Sequence, residues 1–326
     1  MIQRYSDSTA PAARADGGTP WSKRNVLLTV AVGFASFFFY SFILNNYYYG
    51  DPAYYQRYYD YLSGRGPIWA LQSQFDYLGS SELIYPLIAW AGSNFSVERY
   101  IFMAAFDGIL YGLLIFVLRK YECNTFFISL CLTNFYIVVL ATSAERLKFA
   151  YIFFLLALLT AGRIRLLCLT LAPLAHFQSL ISYASLFVFH FFTSLSPKAK
   201  FAIGVAAFFG ALTFSYFFYG AILGKVTAYQ GQGGLLDLVS ALALVAVAVS
   251  VFPNRIRVLA TFIPLIILTF ILGSDRMNMI TFTIFFYICL LEKKTMHPAV
   301  IMIMGYFSFK SIGFINNVLI YGNGFI

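Results

Sequence analysis

Long apolar runs alternate with short polar turns along most of this chain. A run of roughly 17–25 apolar residues is the length that crosses a bilayer as a helix. The pattern predicts an all-α integral membrane protein, a polytopic bundle of about ten or eleven transmembrane helices. The predicted spans are 26–45, 100–118, 125–142, 147–161, 201–222, 235–252, 257–273, 277–291 and 298–315.

The apolar stretch 166–193 is too long for one straight span. Pro173 interrupts the helical hydrogen bonds, and His176 is costly at the middle depth of a bilayer. Two interpretations are open. The stretch forms two short helices that meet near His176 as a broken or re-entrant pair, or it forms one long tilted span.

Two segments are polar. Residues 1–24 are rich in Pro, Gly, Ala and Ser, which predicts a disordered cytoplasmic tail. Residues 46–98 predict a long external loop that carries short helices of its own. The chain shows no internal repeat, so we expect residues 25–326 to form a single polytopic membrane domain.

The composition indicates that lipid surrounds most of the chain, because 60% of the residues are hydrophobic and only 11% are charged. Soluble domains average roughly 25% charged residues. The net charge of +9 does not indicate nucleic acid, since the basic residues occur in pairs between apolar runs. The four cysteines form no CxxC pair, and no nucleotide-binding loop, dinucleotide fingerprint or zinc motif is present, so we expect no metal and no cofactor.

The distribution of lysine and arginine sets the expected orientation, because cytoplasmic loops are enriched in both. Most basic residues fall inside when the N-terminal tail is inside and 166–193 is a hairpin. The segment 46–98, the start of the span 147–161 and the start of the span 277–291 then face outside.

An aromatic cluster opens the external segment. Asp51-Pro52 is typical of a helix start, with Asp51 as the N-cap and Pro52 as the first helical residue. On this helix Tyr54 and Tyr58 share one face and Tyr55 lies beside it. The cluster is either an aromatic belt at the membrane interface or a platform for sugar rings, in which Asp51 binds hydroxyls or acts as a base.

Charged residues open the span 147–161 at its outer end. Arg146 and Lys148 lie in the first turn of this helix, where the helix dipole disfavours basic residues. Their presence predicts a bound anion such as a phosphate or diphosphate. The alternative is a solvated turn in which Glu145 forms a local pair with one of them.

A second helix start repeats this arrangement. Asp275 and Arg276 open the span 277–291, also from the outside. Asp275 can cap the helix, and Arg276 again lies against the dipole. We therefore expect Arg146 and Arg276 to converge on a shared anionic ligand.

His176 is the strongest candidate inside the apolar stretches. Such a residue is often only hydrogen-bonded to a neighbouring helix, but intramembrane ionisable residues are also common at functional sites. Histidine can move a proton near neutral pH. Asp107, in the middle of a predicted span, is a weaker candidate of the same kind.

The order of these features resembles the EpsG-like branch of the Wzy-type polysaccharide polymerases. The family's Phe-His-x-Ser appears here as His-Phe-Gln-Ser, with the Phe after the His. The resemblance covers roughly residues 45–295 and consists of short motifs. These are Gly50-Asp51 followed by aromatic residues, Arg146 opening a span, the basic turn at Arg163 and Arg165, His176 between two apolar halves, and Arg276 opening a late span.

The resemblance implies a GT-C-like glycosyltransferase architecture with one long periplasmic loop, in the bacterial inner membrane. Such enzymes act without a metal and polymerise lipid-linked oligosaccharide repeat units on the periplasmic face. The donor and the acceptor are linked to a polyprenyl diphosphate such as undecaprenyl diphosphate. Membrane lipids and a chain-length regulator are the expected partners, and nucleic acid is not.

The resemblance also implies roles for the candidate residues. Arg146, Arg276 and Lys148 would bind the donor diphosphate and stabilise it as a leaving group. His176, Asp51 and Glu145 would be candidates for the base that deprotonates the acceptor hydroxyl. The sugar-binding residues would be Tyr54, Tyr55, Tyr58 and Asp275.

Two other functions compete with the polymerase. An O-antigen ligase uses the same donor but a lipid A–core acceptor, and it usually carries a larger external loop with basic clusters late in the chain. The long external loop here comes early and is acidic on balance, which favours the polymerase. A flippase or transporter for lipid-linked oligosaccharides often shows internal repeats and a polar path through the bilayer. Here the ionisable residues concentrate at one face, apart from Asp107 and His176.

Overall fold

The computed structural model describes residues 22–191, 196, 198–199, 235–272 and 274–325. Within these ranges every regular element is an α-helix. The predicted span 201–222 and residues 1–21 of the predicted tail lie outside the described residues. The helices are α1 (Lys23–Asn45), α2 (Asp51–Tyr61), α3 (Pro67–Leu78), α4 (Ile84–Asn94), α5 (Arg99–Lys120), α6 (Thr125–Leu132), α7 (Phe135–Thr142), α8 (Glu145–Leu159), α9 (Gly162–Ala175), α10 (Ser179–Phe191), α11 (Leu235–Val251), α12 (Arg255–Leu272), α13 (Ser274–Leu291) and α14 (Pro298–Tyr321).

Among the described residues, three helices are long and apolar enough to cross a membrane. They are Asn25–Asn45 within α1, then α5 and α14, and α6 with α7 makes a fourth if that bent pair is one span. The expectation of an all-α protein with membrane-spanning character is confirmed in this coarse form. The count of about ten or eleven spans and the GT-C-like architecture remain predictions.

The predicted span 125–142 is not one straight helix. It divides into α6 and α7, which meet at an angle of 44°. Asn134 causes the break, because its side-chain oxygen accepts a hydrogen bond from Tyr136 N at 3.0 Å and so caps α7. Asparagine at such a position competes with the helical hydrogen bonds and favours a new helix start.

Helices α1 and α5 pack along much of their length. At Gly33 and Gly108 the two backbones come so close that a Cβ on Gly108 would lie 2.8 Å from the Gly33 carbonyl oxygen. Small residues allow such close approach between membrane helices, where van der Waals packing replaces the hydrophobic effect as the source of affinity. This contact fixes α5, which carries two residues of the site described below.

Helices α5 and α8 run in the same direction. The first residues of both helices are joined by the ion pair between Arg99 and Glu145, and near their last residues Lys120 Nζ donates to Leu158 O at 2.6 Å. The bent pair α6–α7 returns the chain between them. The N-terminal ends of α5 and α8 therefore lie at the same end of the helix bundle.

The described part of the stretch 166–193, which ends at residue 191, forms two helices and not one long tilted span. Helix α9 ends before His176 and α10 begins at Ser179. The chain turns back here, because Tyr183 on α10 donates to Leu169 O on α9 at 2.9 Å. This hairpin places His176 at its tip.

The segment 46–98 contains the short helices α2, α3 and α4, which pack on one another and on the bundle. Tyr58 on α2 donates to Ala70 O on α3 at 2.5 Å. Leu83 N donates to Leu174 O on α9 at 3.1 Å, close to the hairpin tip. The segment is therefore a folded cap, and it lies at the end of the bundle that carries the starts of α5 and α8.

Candidate functional site

Each of the three charged residues in the first turn of α8 forms an ion pair with an oppositely charged residue of another element. Glu145 pairs with Arg99 at the start of α5. Arg146 NH1 lies 2.9 Å from Glu82 Oε2, and Lys148 Nζ lies 2.6 Å from Asp107 Oδ1. Glu82 belongs to the linker between α3 and α4, and Asp107 to α5. The start of α8 is thus the centre of a buried cluster of charges.

Glu82, Arg146 and His176 form what we call the Glu82 triad. The Glu82 carboxylate lies between the other two side chains, with Oε2 toward Arg146 and Oε1 2.5 Å from His176 Nδ1. All three residues are buried. Gln74 and Ser80 also donate to Oε2, at 3.2 Å and 3.0 Å. Residues far apart in the sequence therefore converge on one carboxylate.

The surroundings of Glu82 strongly favour its charged form. Burial alone raises the pKa of this carboxyl, but the hydrogen bond from His176 and the charge of Arg146 outweigh burial and lower the pKa to about 2. A carboxylate that receives several donors is stabilised in this way even when it is removed from water. The site is thus built to hold a negatively charged group.

His176 is oriented through both ring nitrogens. Nδ1 faces Glu82, and Nε2 lies 3.0 Å from Gln178 Oε1. In the neutral tautomer with the proton on Nδ1, the ring donates to Glu82, and Nε2 is the ring nitrogen that faces the Gln178 side chain. The hairpin tip and the cap together position this ring.

Glu145 is fully buried and has two partners. It pairs with Arg99, and Tyr85 on α4 donates to Glu145 Oε2 at 2.9 Å. Arg99 Nε in turn donates to Gln56 Oε1 on α2 at 2.8 Å. These contacts tie α2 and α4 of the cap to α5 and α8. Glu145 as a catalytic base remains a prediction.

The anions that compensate the basic first turn of α8 are supplied by the chain itself. Arg146 and Lys148 at the positive end of the helix dipole predicted an external anion. Glu82 and Asp107 fill that role instead, and Lys148 is fully buried against Asp107. Arg146 is therefore already paired with an anion of the chain. Diphosphate binding by Arg146 and Lys148 stays a prediction.

Helix α2 differs from its expected start by one residue. Gly50 is the N-cap, with a φ of 71° that favours glycine, so Asp51 is the first helical residue and not the cap. Tyr54 is exposed, whereas Tyr58 is fully buried and packs against the rings of Tyr77 and Tyr85. Tyr58 therefore belongs to the core of the cap in this conformation and presents no ring face to a sugar.

Tyr55 contacts the Glu82 triad through Arg146 and does not form part of an exposed aromatic surface. It is buried, and Arg146 Nε donates to its hydroxyl oxygen at 3.4 Å. The ring also packs against Tyr85 with the centroids 5.5 Å apart. Sugar binding by Tyr54, Tyr55 and Tyr58 and the role of Asp51 as a base remain predictions.

Asp275 and Arg276 lie in the first turn of α13, which begins at Ser274. Their side chains lie outside the described residues. The expected convergence of Arg276 with Arg146, and sugar binding by Asp275, therefore stay predictions.

Sequence reasoning missed three residues that complete this cluster as partners, namely Glu82, Arg99 and Tyr85. Glu82 and Arg99 counted only toward the charge balance of the outer segments. Arg99 did carry a usable signal, because it opens a helix from the outside as Arg146 does. The pairings themselves join positions 46 to 94 residues apart, and no local pattern reveals them.

A separate cavity of about 700 Å³ lies within the membrane-spanning part, between α1, the break of α6 and α7, and α14. Most of its lining is apolar. The hydroxyls of Tyr40 and Tyr111 are hydrogen-bonded to each other at its wall. Within the described part of the chain, no group of three or more His, Cys, Asp or Glu residues could hold a metal ion.

No family model, no curated protein and no solved structure matches this chain. The assignment of a function therefore depends on the chemistry of the residues themselves.

Proposed function

We propose that this protein is a polysaccharide polymerase of the Wzy type, which transfers a glycan from a polyprenyl diphosphate donor to a lipid-linked acceptor at the outer face of the inner membrane. One observation supports this most: Arg146, His176 and Glu145, three predicted site residues, meet beneath the cap at one end of the helix bundle. Convergence of an arginine, a histidine and carboxylates at a membrane interface suits glycosyl transfer from a phosphorylated lipid.

The proposed reaction needs a base and a group that stabilises the leaving diphosphate. In the proposed reaction the Gln178 side chain leaves Nε2 of the neutral His176 ring, and Nε2 takes the proton of the acceptor hydroxyl. The oxygen of that hydroxyl forms a bond to the anomeric carbon of the donor sugar. The bond from that carbon to the diphosphate oxygen breaks, and the electron pair leaves with the diphosphate. Arg146 compensates the charge that develops there through paired N–H donors.

Glu82 supports both roles. Before the substrate binds, it pairs with Arg146 and accepts from Nδ1, which holds the His176 ring with Nε2 turned away from the carboxylate. The low pKa of Glu82, about 2, means that this carboxylate does not itself take the proton at neutral pH. Among the buried groups of the triad, this leaves His176 as the proton acceptor.

The cavity within the membrane suits the lipid part of such a substrate. An isoprenoid chain is apolar and enters from the bilayer, and the lining between α1 and α14 is mostly apolar. Tyr111 at the cavity wall lies about one helical turn from Asp107, which pairs with Lys148 of the charge cluster. The cavity and the cluster thus share α5 as a common wall.

The decisive experiment is polymer formation in a strain that lacks the gene, with the sugar ladder resolved on a gel. Wild type, Arg146→Ala, His176→Ala and Arg276→Ala are compared at matched membrane levels. Arg57→Ala is the control, because Arg57 is an exposed arginine of the same cap. We expect the ladder to disappear in the Arg146 and His176 variants and to persist in the Arg57 variant.

The products distinguish the alternatives. Export of single repeat units without polymer supports the polymerase. Polymer that accumulates on its lipid carrier, without transfer to lipid A–core, would indicate the ligase. Absence of any repeat units outside the membrane would indicate the flippase. A normal ladder in the deletion strain would contradict the polymerase proposal.

A further inference from the structure

The Glu82 carboxylate has four hydrogen-bond partners, each from a different element. Gln74 on α3, Ser80 in the linker, Arg146 on α8 and His176 at the hairpin tip lie within 2.5–3.2 Å of its two oxygens. Donors that converge on two oxygens, with an arginine among them, form a receptor for any small oxyanion. The geometry therefore recognises a class of ligand, and Glu82 is the member of that class supplied by the chain.

Glu82 lies on a less regular part of the chain than Arg146 and His176. Arg146 lies in the first turn of α8, and His176 is fixed between α9 and α10. Glu82 is the fourth residue of a five-residue linker between α3 and α4, which begins at Gly79, whose φ of 58° ends α3 in the left-handed region. A short movement of this linker would remove the carboxylate while leaving Arg146 and His176 in place.

We propose that Glu82 is a tethered internal ligand that occupies an oxyanion site, and that a diphosphate binds Arg146 and His176 by displacing it. The identity of the ligand as a diphosphate rests on the proposed function. The replacement is chemically consistent, because a diphosphate offers more negative charge and more acceptor oxygens than one carboxylate. It exchanges one set of charge-assisted hydrogen bonds for another, so Arg146 is not left buried without an anion and His176 Nδ1 keeps an acceptor.

The depressed pKa of Glu82 agrees with this arrangement. Burial raises the pKa, and the donors around the carboxylate overcome that effect and lower the pKa to about 2. The same donors would act on the oxygens of a phosphate group in that place. Competition by Glu82 would keep the site closed to weaker anions until the substrate arrives.

Binding of anions to the purified full-length chain in lipid nanodiscs tests the proposal. The probes are inorganic diphosphate and undecaprenyl diphosphate, measured separately, with affinity determined by calorimetry. In Glu82→Gln the competing charge is gone while the shape is kept, so we expect diphosphate to bind about tenfold tighter than to wild type. Asp76→Asn is the matched control, since Asp76 is an exposed carboxylate on α3, and its affinity should equal that of wild type.

A variant at Arg146 tests whether the tighter diphosphate binding occurs at this site. The double variant with Glu82→Gln and Arg146→Ala should lose the tighter binding, and if it keeps it, the diphosphate binds elsewhere and the proposal is wrong. Equal affinities of wild type and Glu82→Gln, with binding that still depends on Arg146, would also overturn it. Glu82→Asp is the second variant, for the case that Glu82→Gln does not fold. It keeps the negative charge on a side chain that is one methylene shorter, so we expect a diphosphate affinity between those of wild type and Glu82→Gln.

The two probes and the ladder assay separate the possible failures. A gain with both probes identifies the diphosphate group as the ligand, and a gain with only the lipid-linked probe shows that the isoprenoid chain is needed as well. Both support the proposal. A protein that forms polymer but shows no Glu82 effect on binding refutes the tethered ligand alone. A protein that shows the binding effect but forms no polymer refutes the proposed function alone.

Discussion

The ion pair between Asp107 and Lys148 should matter for stability mainly because removal of either partner leaves a buried charge without a counterion. Both side chains are fully buried, and Lys148 Nζ lies 2.6 Å from Asp107 Oδ1. At an effective dielectric constant of about 20, this separation corresponds to roughly 6 kcal/mol of attraction. The loss of hydration of both groups offsets much of that energy, so the intact pair gives little net stabilisation.

Removing one partner has a much larger effect than removing both. Lys148→Met or Asp107→Asn alone leaves a buried charge without its partner, and each should lower the free energy of unfolding by about 3–5 kcal/mol. The double variant leaves only a buried amide, so its loss should be about 1–3 kcal/mol, far below the sum of the two single losses. Thermal unfolding of the purified protein in detergent measures this, with an expected decrease in Tm of very roughly 6–10 °C for each single variant.

The ion pair between Arg257 and Glu292 is the matched control. Its separation is also 2.6 Å, but its two side chains are 21% and 24% exposed. Water screens this pair, so Arg257→Met should lower the stability by about 1 kcal/mol or less. Losses in the double variant that equal the sum of the single losses would refute the reasoning, as would equal losses at the buried and the exposed pair.

Two further predictions follow from the structure. Gly108→Ala places a Cβ 2.8 Å from the Gly33 carbonyl oxygen, which forces α1 and α5 apart and should lower the free energy of unfolding by about 1–3 kcal/mol. Gly305→Ala is the control, because a Cβ there meets open space and should have no such effect in the same unfolding assay. The lowered pKa of Glu82 means that its ionised form stabilises the folded protein above pH 4.5, and this contribution, about 3 kcal/mol, is lost as the pH falls toward 2. Stability measured between pH 7 and pH 3 should fall more steeply at acidic pH in wild type than in Glu82→Gln, and equal slopes would contradict the assignment.

Much of the site could be located from the sequence, because its members are polar residues at the ends of apolar runs. Arg146 and His176 stand out in this way, and the structure brings them together through Glu82. The carboxylate itself did not stand out, since an acidic residue in a polar segment is ordinary until its burial is known. The tyrosines after Asp51 lie on a helix, as expected, but helical spacing alone could not show that Tyr58 is buried and Tyr54 exposed.

The sequence by itself determined that this chain is helical, with apolar segments long enough to cross a membrane and polar residues concentrated at the ends of those segments. The length and hydropathy of the segments suffice for that conclusion, because the thickness and apolar interior of a bilayer set both properties for any helix that crosses it. Only the tertiary structure decided which charges pair. The three partners of the first turn of α8 come from α5 and the linker after α3, and a charge removed from water must find its counterion in space and not along the chain.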